Sequence, residues 1–337
     1  MTSRSKFLLL ALALCCMLPA RGQDGTLFMS VLASRRHRLN AADNPVVGLY
    51  VSTDRGVTWT HRGWREYLRM FYTEAGRDGT IWSACGNGVL RSTDNGTTWR
   101  VTTGWDVTEV VKVHVSPADP RTVFAATAYG VIRSTDRGDT WQKLTQGFHR
   151  TFTSDIAIDR LNPGHIFAAA EEGLYESANG GRSWRRATLP QKLVNVVIQH
   201  PSRTGEFWAG TEDNGLFRST DGGRKWREAN TGITHFTIYA VTFDPAHPEH
   251  MYVGTYGGGV FRSDDGGGSW VQKNAGLRNL DVHSLLVLPG SPDVVVCGTL
   301  NGGLYRSTDR GENWLFNSQE DSQVWGLSFL PARGGKQ

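Results

Sequence analysis

The chain has 337 residues, 20% of them charged, and a formal net charge of +4. Most of this positive charge lies near the N-terminus: without Arg4, Lys6 and Arg21, the 36 basic residues fall to 33 against 32 acidic ones. A nearly neutral remainder lacks the strongly basic surface that nucleic-acid binding usually requires, so nucleic acid is not an expected partner.

Residues 1–22 have the pattern of a secretory signal peptide. Two basic residues precede an apolar run over 7–18, and the sequence Pro-Ala-Arg-Gly follows it. The run is too short for a good membrane-spanning helix, which needs ~20 apolar residues. We therefore predict cleavage before Gln23, with lipidation at Cys15 or Cys16 as an alternative. The expected product is exported, periplasmic or secreted, and does not span a membrane.

One eight-residue motif, Ser-x-Asp-x-Gly-x-x-Trp, recurs seven times along the rest of the chain. Its copies begin 40, 42, 43, 42, 44 and 44 residues apart. A period of this length with strand-like flanks is typical of a solenoid, a β-propeller or another repeat array. The third position of the motif is occupied by Asp in six copies and by Asn in the fourth: Asp54, Asp94, Asp136, Asn179, Asp221, Asp265 and Asp309.

Each copy of the motif is expected to form the turn of a β-hairpin, because short apolar runs flank it. The acidic side chain can accept hydrogen bonds from backbone N–H groups of its own turn. The glycine supplies the positive φ that the turn needs. The tryptophan buries apolar surface between neighbouring sheets, and its indole N–H still needs an acceptor. Asn179 keeps an acceptor oxygen, so the fourth hairpin is expected to be weaker but intact.

The rest of each repeat predicts three further strands, so that every repeat has four, labelled A to D from the inside outwards. Residues 26–32 resemble a strand B with no strand A before it, and residues 324–331 resemble a strand A with no strand B after it. We therefore predict an all-β fold over residues 23–337, a single seven-bladed β-propeller with the motif in the C–D turn of each blade. The N-terminal strands B, C and D would pair with the C-terminal strand A and close the ring.

These motifs are Asp boxes, and the chain resembles the Asp-box (BNR-repeat) propeller superfamily over nearly its whole mature length. The superfamily includes sialidases, xyloglucan-degrading glycosidases, the sortilin luminal domain and photosystem II assembly factors. The resemblance implies that the boxes are structural and lie opposite the ligand-binding face, which B–C turns and D–A connections form. We therefore assign the seven box positions to folding.

Acidic residues in two equivalent B–C turns are candidates for catalysis. Glu171-Glu172 lies in blade four and Glu212-Asp213 in blade five. Glycosidases use two carboxyl groups, ~5–5.5 Å apart for retention or ~6.5–9.5 Å for inversion, and one of them needs a raised pKa. If the chain is a glycosidase, we predict Glu172, Asp213 and Glu212 as its catalytic residues, with Asp155 as a possible further member. The alternative is that these are solvated loop acids.

Aromatic and basic residues of the same face are candidates for ligand binding. Exposed rings beside polar groups suit a sugar ring or a protein partner, whereas the alternative is that the rings fill gaps between blades. The basic loop over 35–38, together with neighbouring arginines, could bind an anion. The predicted ligand-binding residues are Tyr129, Tyr256, Arg36 and Arg38 in B–C turns, and Trp105, Trp64, Arg65 and His283 in D–A connections.

Signal-peptide cleavage would leave two of the four cysteines, Cys85 and Cys297. They fall in predicted strands B of blades two and seven, which blade one separates, so packed free thiols are expected rather than a disulfide. No Cys/His cluster has zinc-site spacing. We therefore predict neither a metal nor another cofactor.

The branches of the superfamily differ in how well they match. The chain lacks the Arg-Ile-Pro segment of sialidases, and its predicted ring has more repeats than theirs, so sialidase activity is not expected. The repeat sequence over 244–263 is most similar to that of xyloglucanases, which place their cleft between two propellers. Size and export signal also resemble photosystem II assembly factors. The sequence favours a binding or assembly module for a protein partner or a cell-envelope glycan, with a polysaccharide-acting glycoside hydrolase as the alternative. It leaves the ligand and the oligomeric state open.

Overall fold

The computed structural model describes residues 25–34, 47–62, 68–149, 152–189 and 193–332. These residues form 28 strands in seven four-stranded antiparallel sheets. The predicted seven-bladed β-propeller is therefore confirmed. Within the described ranges, no helix is long and apolar enough to cross a membrane.

The four strands of blade one come from both ends of the described chain: β1 (Gly25–Ser34), β2 (Gly48–Ser52), β3 (Thr60–Arg62) and β28 (Ser322–Pro331). Blades two to four consist of β4 (Met70–Ala75), β5 (Ile81–Cys85), β6 (Gly88–Ser92), β7 (Arg100–Val101), β8 (Val110–Val115), β9 (Val123–Thr127), β10 (Gly130–Ser134), β11 (Gln142–Leu144), β12 (Thr153–Ile158), β13 (Ile166–Ala170), β14 (Gly173–Ser177) and β15 (Arg185–Arg186). Blades five to seven consist of β16 (Val194–Gln199), β17 (Phe207–Thr211), β18 (Leu216–Ser219), β19 (Arg227–Glu228), β20 (Ile238–Phe243), β21 (Met251–Thr255), β22 (Gly259–Ser263), β23 (Val271–Gln272), β24 (Val282–Leu288), β25 (Ser291–Thr299), β26 (Leu304–Ser307) and β27 (Leu315–Ser318).

Pairing between β28 and β1 joins the two ends of the chain. The strands run antiparallel from the pair Gly25 and Pro331 to the pair Ser34 and Ser322. The sheet order β28-β1-β2-β3 therefore makes β28 the innermost strand of blade one, equivalent to β4 in blade two. A ring joined in this way has no unpaired sheet edge at its seam.

The same three hydrogen bonds recur in all seven Asp boxes. The serine hydroxyl accepts from the backbone N–H of the box glycine at 2.7–2.9 Å and donates to the acidic side chain at 2.7–2.9 Å. That side chain also accepts from the backbone N–H of the seventh box residue at 2.9–3.0 Å. Asn179 makes these bonds as the aspartates do, so the fourth blade is intact.

Apolar contacts between blades form the core. Seven clusters of buried side chains each lie between two neighbouring sheets, as Phe167 of β13 and Phe207 of β17 do between blades four and five. Box tryptophans add polar contacts to the preceding blade: the indoles of Trp184, Trp270 and Trp314 donate to the backbone carbonyls of Leu144, Ala229 and Lys273. The core is thus distributed around the ring.

Arginines of the third strands in blades three, six and seven link each of these blades to the box of the next one. Arg133 donates to the carbonyl oxygen of Gly180 at 2.8 Å, Arg262 to that of Arg310 at 2.9 Å, and Arg306 to that of Arg55 at 3.1 Å. Each acceptor is the fourth residue of an Asp box, where φ is positive. The box therefore helps to join the blades as well as to turn the chain.

Cys85 and Cys297 are buried and unbridged, as expected from their blades. Burial raises the pKa of Cys85 to about 11 and also raises the pKa of Cys297. Both thiols are therefore protonated at neutral pH and pack as small apolar side chains.

Candidate functional site

The antiparallel register separates the ring into two faces. In blade six, Ile238 at the start of β20 pairs with Thr255 at the end of β21, and Phe243 at the end of β20 pairs with Met251. Met251 also pairs with Ser263, the first residue of the Asp box. The Asp boxes therefore share a face with the A–B connections. The B–C turns and D–A connections form the opposite face, which we call the mouth face.

A β-bulge interrupts the innermost strand of every blade near its mouth-face end. The register skips one residue in each of these strands relative to its neighbour. A bulge re-aims a side chain and is common next to binding sites. The skipped residues are Phe71, Val111, Ser154, Asn195, Tyr239, His283 and Trp325.

Four of the bulged residues and one residue of a B–C turn form a continuous row of rings. Phe71 meets Trp325 edge to face at 5.8 Å between ring centroids, and Trp325 lies 3.9 Å from His283. His283 stacks on Tyr239 at 5.0 Å, and Tyr239 meets Tyr256 at right angles at 6.3 Å. We call this row, which crosses blades two, one, seven and six, the aromatic wall.

His283 is a neutral member of the aromatic wall. Burial lowers its pKa to about 4, against a hydrogen bond to the carbonyl oxygen of Trp325 that acts in the opposite direction. That bond joins Nδ1 and the carbonyl at 3.1 Å, so Nδ1 carries the proton. The structure places His283 within β24 at its bulge, not in the D–A connection where the sequence prediction put it.

The innermost strands surround a channel that contains a cavity of about 610 Å³. This volume lies within the ~300–1,000 Å³ typical of small-molecule sites. Bulged residues of six blades line it, including Ser154 of blade four and Asn195 of blade five. A second hollow of about 550 Å³, lined in part by Arg69, Phe71 and Phe152, opens beside it at the mouth face.

Four charged side chains from blades two, three and four meet in the channel. His114 lies between two carboxylates, with Nδ1 2.9 Å from Glu74 and Nε2 3.0 Å from Asp155. Lys112 lies 3.6 Å from Asp155 and 4.6 Å from the ring centroid of Tyr72. We call Glu74, Lys112, His114 and Asp155 the channel charge cluster; its two acids and two bases balance.

The protonation of the channel charge cluster follows from its pairs. Burial by itself lowers the pKa of His114, but Glu74 and Asp155 outweigh burial and raise it to about 9. Burial by itself raises the pKa of Asp155, but Lys112 and His114 outweigh burial and hold it below its usual value. His114 is thus a cation and Asp155 an anion at neutral pH. With a lowered pKa, Asp155 does not hold the proton that the general acid of a glycosidase donates.

The predicted catalytic residues Glu172, Asp213 and Glu212 lie on the mouth face, outside this cluster, whereas Asp155, the further member considered, belongs to the cluster. Glu171 and Glu172 form the turn between β13 and β14 and are half-buried. Glu212 and Asp213 follow β17, and Asp213 is exposed and accepts a hydrogen bond from the Thr237 hydroxyl at 3.1 Å. The two turns belong to adjacent blades, as predicted, but none of these four acids lines the channel cavity.

Three predicted ligand-binding aromatics are exposed on the mouth face. Trp105 follows β7 and is 94% exposed, while Tyr129 and Tyr256 occupy B–C turns and are 54% and 53% exposed. Phe152 and Phe236, which the sequence analysis did not select as binding residues, are also exposed there. The remaining candidates lie outside the described residues: Trp64, Arg36, Arg38 and Arg65.

The sequence analysis also missed the channel charge cluster apart from Asp155. A usable signal was present: Glu74, Lys112 and His114 are polar residues within innermost strands that are otherwise mostly apolar. Charged groups in such strands need partners, because burying an unpaired charge is costly. The described residues contain no group of His, Cys, Asp and Glu arranged to hold a metal ion.

The repeated boxes, the four-stranded blades and the ring pairing define the class of protein: a seven-bladed β-propeller built on Asp-box repeats. The family model for the BNR/Asp-box repeat matches residues 50–61, which contain the first box. No curated protein matches the sequence at a significant level.

Solved structures share this fold. A GH74 xyloglucanase from Xanthomonas campestris superposes with a TM-score of 0.65 and 18% identity, covering 91% of this chain and 55% of that one. The extracellular domain of BT4673 from B. thetaiotaomicron gives 0.63 and 18%, covering 79% and 36%. YCF48 bound to D1 peptide gives 0.60 and 16%, covering 86% and 94%. This chain therefore spans about half of the xyloglucanase, about a third of the BT4673 domain and nearly all of YCF48. At these sequence identities, the similarity shows the fold alone.

Proposed function

We propose that the chain is a binding or assembly module that takes a protein partner or a cell-envelope glycan on its mouth face. The observation that carries this proposal is the set of exposed aromatic side chains on the mouth face, including Trp105, Tyr129 and Tyr256. Exposed apolar surface concentrated on one face is typical of an interaction site. The aromatic wall and the cavity continue this surface into the ring.

Binding explains the channel better than hydrolysis does. The described acids inside it, Glu74 and Asp155, are both engaged with His114, and the pKa of Asp155 is lowered rather than raised. A YCF48 structure contains a D1 peptide, so a ring of this kind can hold a polypeptide segment. These observations support a binding role in which the channel charge cluster stabilises the ring.

The test is a comparison of two exposed aromatics on different surfaces. Tyr256 lies at the channel opening and Phe316 on the outer strand β27, with 53% and 44% of their surfaces exposed. We expect Tyr256→Ala to lose most binding to glycans or envelope proteins at an unchanged melting temperature, and Phe316→Ala to keep it. Binding that survives Tyr256→Ala and Trp105→Ala together would show that the mouth face is not the binding surface.

A glycoside hydrolase is the second candidate, favoured by the placement of Glu172 and Asp213 in equivalent turns of adjacent blades. The fold similarity to a GH74 xyloglucanase is compatible with it. Incubation with a polysaccharide panel, read by release of reducing ends, tests this candidate. Release that Glu172→Gln or Asp213→Asn abolishes, in folded protein, would establish the hydrolase and displace the binding proposal.

We also propose that residues 1–22 direct export and are then removed. Expression of the full chain with a C-terminal tag, followed by cell fractionation and N-terminal sequencing, tests this. The expected product begins at Gln23 and lies outside the cytoplasm. A cytoplasmic product that retains Met1 would contradict the proposal.

A further inference from the structure

Two tyrosines at the end of the aromatic wall form an open corner. The rings of Tyr239 and Tyr256 stand at 87° with centroids 6.3 Å apart. His283 covers one side of Tyr239, whereas Tyr256 remains 53% exposed on the mouth face. The corner therefore opens towards solvent at the rim of the channel, where the bulge in β20 directs Tyr239.

Three carboxylates surround this corner. Asp281 is positioned by the backbone N–H of Gly257, which donates to it at 3.0 Å, and Asp213 by the Thr237 hydroxyl at 3.1 Å. Glu212 precedes Asp213 in the same turn, and its backbone N–H donates to the carbonyl of Leu193. Burial raises the pKa of Tyr239, and the charges of Glu212, Tyr256, Asp281 and Asp213 raise it further.

The charges of these three acids are not balanced within the described part of the chain. None of Glu212, Asp213 and Asp281 is in an ion pair with a described Lys, Arg or His side chain. Burial raises the pKa of Tyr305, and Arg278, in the same connection as Asp281, lies beside that hydroxyl and partly opposes the rise. The channel charge cluster differs in this respect, because both of its acids have cationic partners.

We infer that the corner between Tyr239 and Tyr256 binds a Lys or Arg side chain of a partner polypeptide, with Glu212, Asp213 and Asp281 opposing its charge. Cations are attracted to the faces of aromatic rings, and nearby carboxylates add electrostatic complementarity. Phe236 and Leu280 are exposed in the connections that lead into β20 and β24, and they suit apolar residues beside the cation. This inference rests on the proposed function, and of the two ligands proposed there it favours a protein partner over a cell-envelope glycan.

The experiment uses degenerate nonapeptide pools that are identical except for the central residue, which is Arg, Lys, norleucine or Glu. Binding of each fluorescein-labelled pool to the chain without residues 1–22 is measured by anisotropy at pH 8 and low salt. We expect the Arg and Lys pools to bind about tenfold more tightly than the norleucine pool, which corresponds to about 1.4 kcal/mol. Added salt should reduce this preference, because screening weakens exposed charge interactions.

Variants of the corner test its residues. Asp281→Asn keeps an acceptor for Gly257 and removes a charge, so it should reduce the preference for Arg and Lys severalfold; Tyr256→Phe should keep the preference and Tyr256→Ala should lose most of it. The matched control is Asp106→Asn, on the same face, where Lys143 pairs with the carboxylate at 3.0 Å. That control should leave the preference unchanged, and melting temperatures check that each variant is folded.

Equal binding of the four pools, a preference for the Glu pool, no binding, or a preference that survives both Asp281→Asn and Tyr256→Ala would each overturn the inference. The proposed function fails separately. If a polysaccharide or the norleucine pool binds and Trp105→Ala weakens it, the mouth face is a binding surface and only the cationic site is wrong. If neither a polysaccharide nor any peptide pool binds, the proposed function loses its support as well.

Discussion

The two faces of the ring are built from the same seven repeats but differ in how their residues are constrained. On the Asp-box face, every turn closes the same hydrogen bonds, and even Asn179 reproduces them. On the mouth face, equivalent positions carry unlike residues, as Trp325 and Asn195 show at the bulges of blades one and five. A turn that satisfies its own backbone restricts its residues, whereas positions beside an open channel are available for binding.

The strongest contrast is expected at two adjacent glycines of the fifth Asp box. Both glycines have positive φ, +85° at Gly223 and +76° at Gly222. A Cβ added to Gly223 would lie 2.1 Å from the Phe167 ring, whereas one added to Gly222 would meet nothing within 4 Å. We expect Gly223→Ala to lower the free energy of unfolding by about 3–4 kcal/mol through overpacking and backbone strain. Gly222→Ala should cost about 1–2 kcal/mol through strain alone. Equal denaturation midpoints of the two variants would contradict this explanation of the box.

The channel charge cluster should make stability depend on pH. The folded-state pKa of His114 is raised to about 9, so its contribution is complete below its unfolded value of about 6.5 and is lost as pH rises through about 9. We expect the advantage of the wild-type protein over His114→Asn in unfolding free energy to shrink by about 2 kcal/mol between pH 7 and pH 10. A constant advantage over this range would mean that His114 is not a cation in the folded ring.

A smaller loss is expected from a box serine. The Ser263 hydroxyl is buried, accepts from the backbone N–H of Gly267 at 2.8 Å and donates to Asp265 at 2.7 Å. Ser263→Ala leaves that N–H unsatisfied and should cost about 1–2 kcal/mol in urea denaturation. Thr234→Ala, at an exposed hydroxyl of the mouth face, is the control and should stay within about 0.5 kcal/mol of wild type. A similar loss in both variants would remove the distinction between the faces.

The smallest effect on stability is expected at Trp105, which is 94% exposed. Trp105→Ala should change the free energy of unfolding by less than about 0.5 kcal/mol and still weaken binding of the partner or glycan. Calorimetric melting and a binding titration on the same preparation check both parts. A clearly lowered melting temperature would show that this ring supports the fold instead of serving a ligand.

The sequence predicted some residues of the candidate site correctly and misplaced others. The sequence placed Tyr129, Trp105 and Tyr256 on the face opposite the boxes because turn and strand order follow from the repeat, and the structure exposes all three there. It put His283 in a connection because a one-residue bulge leaves no clear mark in an alternating pattern. Whether Glu172 and Asp213 act in catalysis stays a prediction that biochemical assays must decide.

The sequence by itself determined the number of blades, the place of each Asp box and the class of fold, because each box closes its bonds within eight consecutive residues. Only the tertiary structure decided that Glu74, His114 and Asp155 meet, since the bonds of His114 join residues 40 and 41 positions away. It likewise decided the aromatic wall, whose rings come from four blades. A local motif carries its own geometry, whereas the contents of the channel depend on how seven blades are rotated about one axis.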